Sequence, residues 1–102
     1  MMAKSTRCHA AVVNGMVKTN VIVSYSDSND FCTNYNIAPF AGEVHSTDDF
    51  NGAVVVMPVG AELDMEKYII DYANFSSVLK EIAAHVPHVE AGELVKLCFI
   101  EL

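Results

Sequence analysis

Basic side chains and tryptophan are scarce in this 102-residue sequence, which contains 6 Lys plus Arg, 13 Asp plus Glu and no Trp. Nucleic-acid surfaces need clustered Lys and Arg to displace counterions from phosphates, so the sequence predicts no direct nucleic-acid binding. The net charge of −7 disfavours an anionic membrane surface for the same electrostatic reason. A positively charged protein partner is favoured instead.

Cysteines and long apolar runs are also few. Cys8, Cys32 and Cys98 form an odd, widely spaced set, which favours reduced thiols in a chain large enough to hold its own core. No apolar run approaches the roughly 18 to 20 residues that cross a bilayer. The sequence therefore predicts a cytoplasmic protein with one domain over residues 1–102.

The five glycines are isolated from one another. The chain therefore has no phosphate-binding glycine loop, no dinucleotide fingerprint and no serine elbow, and its cysteines form no paired metal motif. These absences remove the most recognisable enzyme classes. We predict no cofactor, and we favour a function other than catalysis.

Apolar residues make up 52% of the chain and charged residues only 19%, against roughly 25% charged residues in average chains, which excludes a disordered chain. Asn14-Gly15 lies between two apolar runs and suits a tight turn whose central residues both have positive φ. This dipeptide predicts a hairpin over residues 8–25. The alternation of side chains along the first strand points Cys8 to the core and His9 to the opposite, more polar side.

Beyond the hairpin, the pattern predicts a long polar excursion and two further strands. Residues 26–52 are rich in Ser, Asp, Asn and Thr and show no sustained period, except for a short edge strand near residues 42–45. Residues 53–58 form an apolar run rich in valine, and residues 93–101 form the last predicted strand.

One helix is predicted between these two strands. Apolar residues at alternating spacings of three and four indicate a helix over residues 62–86. An alternative interpretation places a strand over residues 67–72 and a shorter helix after Asn74, capped by Ser76 or Ser77.

These elements predict an α+β fold. The N-terminal hairpin and a β-α-β unit, whose two strands run parallel, would form a mixed four- to five-stranded sheet with one main helix packed on one face. One helix covers only one face, whereas the apolar strands point side chains to both faces. A second copy of the chain is therefore predicted to cover the other face, in a homodimer or a higher oligomer.

The charge distribution gives the first candidate site. Residues 21–66 carry eight acidic side chains and no Lys or Arg. Four acids in the polar excursion would steer a basic partner by electrostatic attraction: Asp27, Asp30, Asp48 and Asp49. The sequence therefore favours a non-enzymatic, acidic interaction or assembly module that self-associates and binds a basic protein.

The same excursion offers an alternative, a small-ligand site or a small enzyme. Cys32, Tyr35, His45 and Asp48 would supply a thiol, a phenol, an imidazole and a carboxylate. The surrounding acids would raise the thiol pKa, which argues against a reactive Cys32.

A metal site at His85 and His88 is a second, weaker alternative. The turn at Pro87 could bring the two imidazoles together at the helix end, with Glu90 as a conceivable third ligand. Zinc usually takes three or four ligands, and this spacing supplies only two clear ones.

Overall fold

The computed structural model describes residues 4–25, 31–32, 35–40, 48–63, 71, 73–90 and 92–101. Within these ranges the elements are β1 (Lys4–Val13), β2 (Met16–Tyr25), β3 (Phe31–Cys32), β4 (Tyr35–Pro39), β5 (Asp48–Pro58), α1 (Phe75–His85) and β6 (Val95–Glu101). The strands form one mixed sheet in the order β3-β6-β5-β1-β2-β4. Because α1 packs on one face of this sheet, the predicted α+β class is confirmed.

β1 and β2 form the predicted hairpin. Asn14 and Gly15 have φ values of 50° and 77°, as the tight turn requires. The strands keep one register from this turn back to Lys4, so the hairpin is longer than predicted. Cys8 is buried and His9 is exposed, as the alternation along β1 predicts.

β5 is a central strand, and its pairing corrects the predicted crossover. It runs parallel to β1 and antiparallel to β6, with Pro58 opposite Val95. The prediction that the last two long strands run parallel was therefore wrong. Asn14 Oδ1 accepts a hydrogen bond of 2.7 Å from the Val89 N–H, which holds the chain after the helix at the hairpin turn. β6 starts at the end of the sheet where β5 finishes, and so it runs back along β5.

The polar excursion predicted over residues 26–52 is interrupted by strands, which is a second correction. β3 pairs with β6, β4 pairs with β2, and β5 begins at Asp48. In β4, half-buried Tyr35 and Ile37 flank exposed Asn36, which is the alternation of a strand with one covered face. The edge strand predicted near residues 42–45 lies outside the described residues.

α1 is shorter than the helix predicted over residues 62–86, and the long prediction was wrong. Residues 61–63, 71, 73 and 74 are not helical, and the others between 64 and 72 lie outside the described residues. Asp71 Oδ1 accepts from the Asn74 N–H at 2.9 Å, and Asn74 Oδ1 accepts from the Asp71 N–H at 2.8 Å. These two reciprocal hydrogen bonds satisfy the backbone N–H groups of Asp71 and Asn74 locally. The helix therefore does not extend back through this turn.

The alternative helix start, after Asn74, is confirmed. Asn74 itself is the N-cap residue, so neither Ser76 nor Ser77 occupies that position. Of the alternative strand over residues 67–72, only Asp71 is described, and it is not in a strand.

In the part of the chain that the structure describes, no helix is long and apolar enough to span a membrane.

The positions of β3 and β4 require the sheet to curl. They occupy opposite ends of the strand order, five spacings apart, and five spacings of a flat sheet measure about 24 Å. Cys32 and Tyr35, which belong to these two strands, are three residues apart, and three residues reach at most about 11 Å. The two edges of the sheet therefore approach each other here, and the curled sheet encloses the face opposite α1.

Apolar side chains fill both faces of the sheet. The cluster under α1 includes Ala10, Val12, Ala53, Val55, Met57, Leu79, Ile82 and Ile100. The enclosed face holds Cys8, Ala11, Val13, Val21, Val23, Val54, Val56, Val89 and Val95. Phe99 of β6 reaches across this face, with its ring centroid 6.1 Å from that of Tyr25 in β2.

One chain therefore covers most of its own second face. Val54 and Val56 on that face have no exposed surface in the single chain. The premise that this face needs a second copy to cover it was wrong, because sequence analysis did not foresee the curl. The homodimer itself stays a prediction and needs a different structural basis.

Candidate functional site

The acidic residues proposed to attract a basic partner are only partly described. Asp27 and Asp30 lie outside the described residues. Asp48 and Asp49 begin β5, where their Cα partners on β1 are Thr6 and Arg7. The side chain of Asp49 is exposed, so this one acid stands where a partner could contact it.

The alternative ligand set falls on three strands that do not pair with one another. Cys32 lies on β3 beside β6, Tyr35 lies on β4 beside β2, and Asp48 lies on β5. Tyr35 packs against the buried cluster that contains Val13 and Val56. His45 lies outside the described residues, so a site formed by these four groups stays a prediction.

The two histidines proposed as metal ligands are both exposed near the end of α1. His85 is the last helical residue, and His88 lies against the hairpin turn, with Nε2 3.3 Å from the position that a Cβ on Gly15 would take. Among the residues with described positions, no three His, Cys, Asp or Glu side chains converge as metal ligands. A metal at His85 and His88 therefore stays a hypothesis with two candidate ligands.

A pocket that sequence analysis did not anticipate lies between β1 and β5. Its volume is about 240 Å³, and it is lined by Arg7, Cys8, His9, Asp49, Phe50 and Asn51. These are two runs of three residues on neighbouring parallel strands, paired as Arg7 with Asp49 and Cys8 with Phe50. The lining therefore brings a guanidinium, an imidazole, a carboxylate and an amide to one place.

The backbone is irregular on both sides of His9. Between the pairs Cys8–Phe50 and Ala10–Ala53, one residue of β1 lies opposite two residues of β5, which is a β-bulge. On the other side, Asn20 of β2 has a φ of 53°, a conformation that few residues other than glycine adopt in a strand.

At this irregularity the side chains of β1 change faces. Cys8 packs with Ala11 on the enclosed face, whereas Ala10 packs under α1. Strict alternation would have placed Cys8 and Ala10 on one face, as the hairpin pattern implied. A bulge that redirects side chains in this way is a frequent feature of strands beside functional sites.

Hydrogen bonds and a ring contact hold the polar groups of the pocket. His9 Nε2 lies 2.7 Å from Asn51 Oδ1, so the imidazole donates through Nε2 to the amide oxygen. Arg7 Nη2 donates to Asn20 Oδ1 at 3.4 Å, and the guanidinium carbon lies 4.2 Å from the centre of the Phe40 ring. The ring contact is a cation–π interaction, which fixes the direction of the Arg7 side chain.

The thiols of Cys8 and Cys98 are poor nucleophiles. Burial raises the pKa of Cys8 to about 11, and its Sγ points towards the Thr6 carbonyl oxygen at 3.9 Å. Burial also raises the pKa of Cys98, and the nearby Lys96 only partly opposes this effect. Since the thiolate is the reactive form, these residues suit packing, and the pocket is better suited to binding than to nucleophilic chemistry.

A second surface of interest is the outer edge of β6. β3 pairs only with Val95 and Lys96, so among the described strands the stretch from Leu97 to Glu101 has a neighbour on one side only. Phe99 in this stretch is 39% exposed, although its ring contacts Phe50 edge to face at 5.2 Å. An unpaired strand edge beside an exposed aromatic ring can accept another strand.

Sequence reasoning missed the pocket because its two halves are about forty residues apart. One local signal was present: Asn51-Gly52 directly precedes a valine-rich run, and glycine within a strand often marks a bulge.

No family model matches this chain, and neither a curated protein nor a solved structure is significantly similar to it.

Proposed function

We propose that this chain is a small protein-interaction module without catalytic chemistry that self-associates by pairing the open edges of β6. The observation that carries the proposal is that, among the described strands, residues 97–101 of β6 pair on one side only, with β5. In strand addition, backbone hydrogen bonds provide affinity and side-chain contacts provide register.

The side chains of this edge favour self-pairing. Natural sheets usually protect edges with charged residues, proline or bulges. β4 has Pro39, and the part of β2 beyond its described pairing with β4 has Lys18, whereas Leu97 to Ile100 is four uncharged residues. The β6 edge is thus the least protected of the described edges.

An antiparallel pair of β6 strands would form a symmetric interface. Centred on Phe99, it would place the two copies of this ring opposite each other, and Cys98 opposite Ile100 of the second copy. Five residues on each side make a small interface, so we expect a weak, concentration-dependent dimer.

The proposal includes a basic partner and a reducing, cytoplasmic setting. The net charge of −7 and the exposed carboxylate of Asp49 support electrostatic attraction of a positively charged protein. Cys8 and Cys98 are free thiols, which is consistent with a compartment that keeps cysteines reduced.

Light scattering over a dilution series tests self-association. The wild-type mass should fall from dimer to monomer on dilution, and Phe99→Lys, which places like charges opposite each other, should raise the dissociation constant about tenfold or more. Met16→Lys is the matched control because Met16 is 52% exposed on β2, away from β6, and should leave the dissociation constant unchanged.

Two outcomes would count against the proposal. One is a monomeric mass for the wild type at every concentration. The other is an equal effect of Met16→Lys and Phe99→Lys, which would indicate a general charge effect. Thermal melts of both variants separate a lost contact from a lost fold, since Phe99 also packs on Phe50.

A further inference from the structure

Two side chains of opposite charge in the β1–β5 pocket lie on directly opposite strand positions, but their described contacts do not join them to each other. Arg7 and Asp49 are Cα partners on adjacent strands, where opposite charges ordinarily attract each other. In the described part of the chain, the contacts of the Arg7 guanidinium run to Asn20 and Phe40. The cation is therefore held towards β2, and the Asp49 carboxylate stays exposed on β5.

Irregular backbone accompanies these two charges on both neighbouring strands. Asn20, which binds Arg7, has a φ of 53°, and the β5 bulge follows Asp49 by two residues. Strained residues and bulges both persist at positions where geometry serves a function. Asn51 also fixes the imidazole of His9 in the pocket lining, two residues along β1 from Arg7.

We infer that this pocket binds a small amphoteric ligand of the α-amino acid class. Arg7 would bind the carboxylate, Asp49 would bind the ammonium group, and the His9 imidazole would border the side chain. A lone anion would be repelled by Asp49 and a lone cation by Arg7, so the pair selects a ligand that carries both charges.

The size of the pocket limits the ligand. Its volume of about 240 Å³ is below the roughly 300 to 1,000 Å³ of ordinary ligand sites. This suits an amino acid with a small side chain. Because Asp49 is exposed and solvent weakens its attraction, we expect a dissociation constant of about 1 mM.

Two-dimensional NMR spectra of isotope-labelled protein test the inference with three probes: L-alanine, propionate and ethylamine. L-alanine should shift the amide signals of residues 7–9 and 49–51 in a saturable way. Propionate lacks the ammonium group and ethylamine lacks the carboxylate, so each should bind about tenfold more weakly or worse.

Charge-removing variants assign the two ends. Arg7→Gln and Asp49→Asn should each weaken L-alanine binding about tenfold. Lys18→Gln removes an exposed cation from β2 outside the pocket lining and should change nothing. The same spectra report whether each variant is folded. If Arg7→Gln disturbs the fold, Asp49→Asn still tests the inference, because Asp49 is exposed.

The inference is overturned if no probe gives saturable shifts at about 10 mM, well above the expected dissociation constant. It is also overturned if propionate binds as tightly as L-alanine and Asp49→Asn strengthens propionate binding, which would identify a plain anion site. These results are independent of self-association, because the monomeric Phe99→Lys protein keeps Arg7 and Asp49 and can be titrated in the same way.

Discussion

At the scale of single residues, Gly52 is a position beside the pocket where the backbones of β5 and β6 approach closely. A Cβ at this position would collide with the Ile100 carbonyl oxygen and lie 2.8 Å from the Phe50 ring. This carbonyl belongs to the β5–β6 pairing, so it can move away only by disturbing that pairing. We therefore expect Gly52→Ala to lower the free energy of unfolding by about 1 to 3 kcal/mol, measured by urea denaturation.

Gly60 supplies the control for this substitution. A Cβ on Gly60 meets nothing within 4 Å, and its φ is not positive. Gly60→Ala should change the free energy of unfolding by less than about 1 kcal/mol. Equal losses in the two variants would mean that the tight packing at Gly52 does not matter.

Residue-level prediction from sequence succeeded where the cause is local. Asn14 and Gly15 have the positive φ values that their dipeptide suggested, because the constraint lies within the turn itself. The pocket residues Arg7 and His9 were missed, because their role arises from pairing with Asp49 and Asn51 on a distant strand. Nothing in the residues around Arg7 indicates that partner.

At the scale of elements, Asn14 joins the hairpin to the segment between α1 and β6. Its side-chain oxygen accepts from the Val89 N–H at 2.7 Å, while its backbone adopts a φ of 50°. Asn14→Gly keeps the backbone freedom and removes the acceptor, so it should lower the free energy of unfolding by about 1 kcal/mol.

Hydrogen exchange at the Val89 amide provides the specific measurement. Protection should fall in Asn14→Gly and persist in Asn14→Asp, which retains an acceptor oxygen and tolerates positive φ. A Val89 amide that is protected equally in both variants would show that this hydrogen bond does not hold the connection.

Element-level prediction was limited by features that compete with the hydrophobic period. The apolar stripe of α1 is real over Phe75, Leu79 and Ile82, but extending it backwards ignored the side-chain turn between Asp71 and Asn74. The period continues through that turn in the sequence, and the helix does not. A hydrophobic stripe therefore predicted the face of the helix and not its start.

At the scale of the whole molecule, the curl of the sheet decides what is buried. Two short strands from the polar excursion, β3 and β4, attach to opposite edges and bring those edges together. β3 has two residues, too few to leave a periodic signal in the sequence. The apolar strands showed that both faces of the sheet need to be covered. The strands that allow the sheet to cover its second face, β3 and β4, come from residues 26–52, which the sequence pattern predicted to be a surface excursion.

This curl makes both faces of the sheet one cooperative core within a single chain. Val54 and Val55 are neighbours on β5, both without exposed surface, one on the enclosed face and the other under α1. Val54→Ala and Val55→Ala should each lower the free energy of unfolding by about 1 to 3 kcal/mol. In each variant, helix circular dichroism and tyrosine fluorescence should follow one coincident transition, because Tyr25 packs on the enclosed face.

Both losses of stability should be independent of protein concentration, since weak pairing at the β6 edge leaves this core intact. A loss for Val54→Ala that depends on concentration would show that a second copy completes the enclosed face, and would contradict its closure by the chain's own sheet.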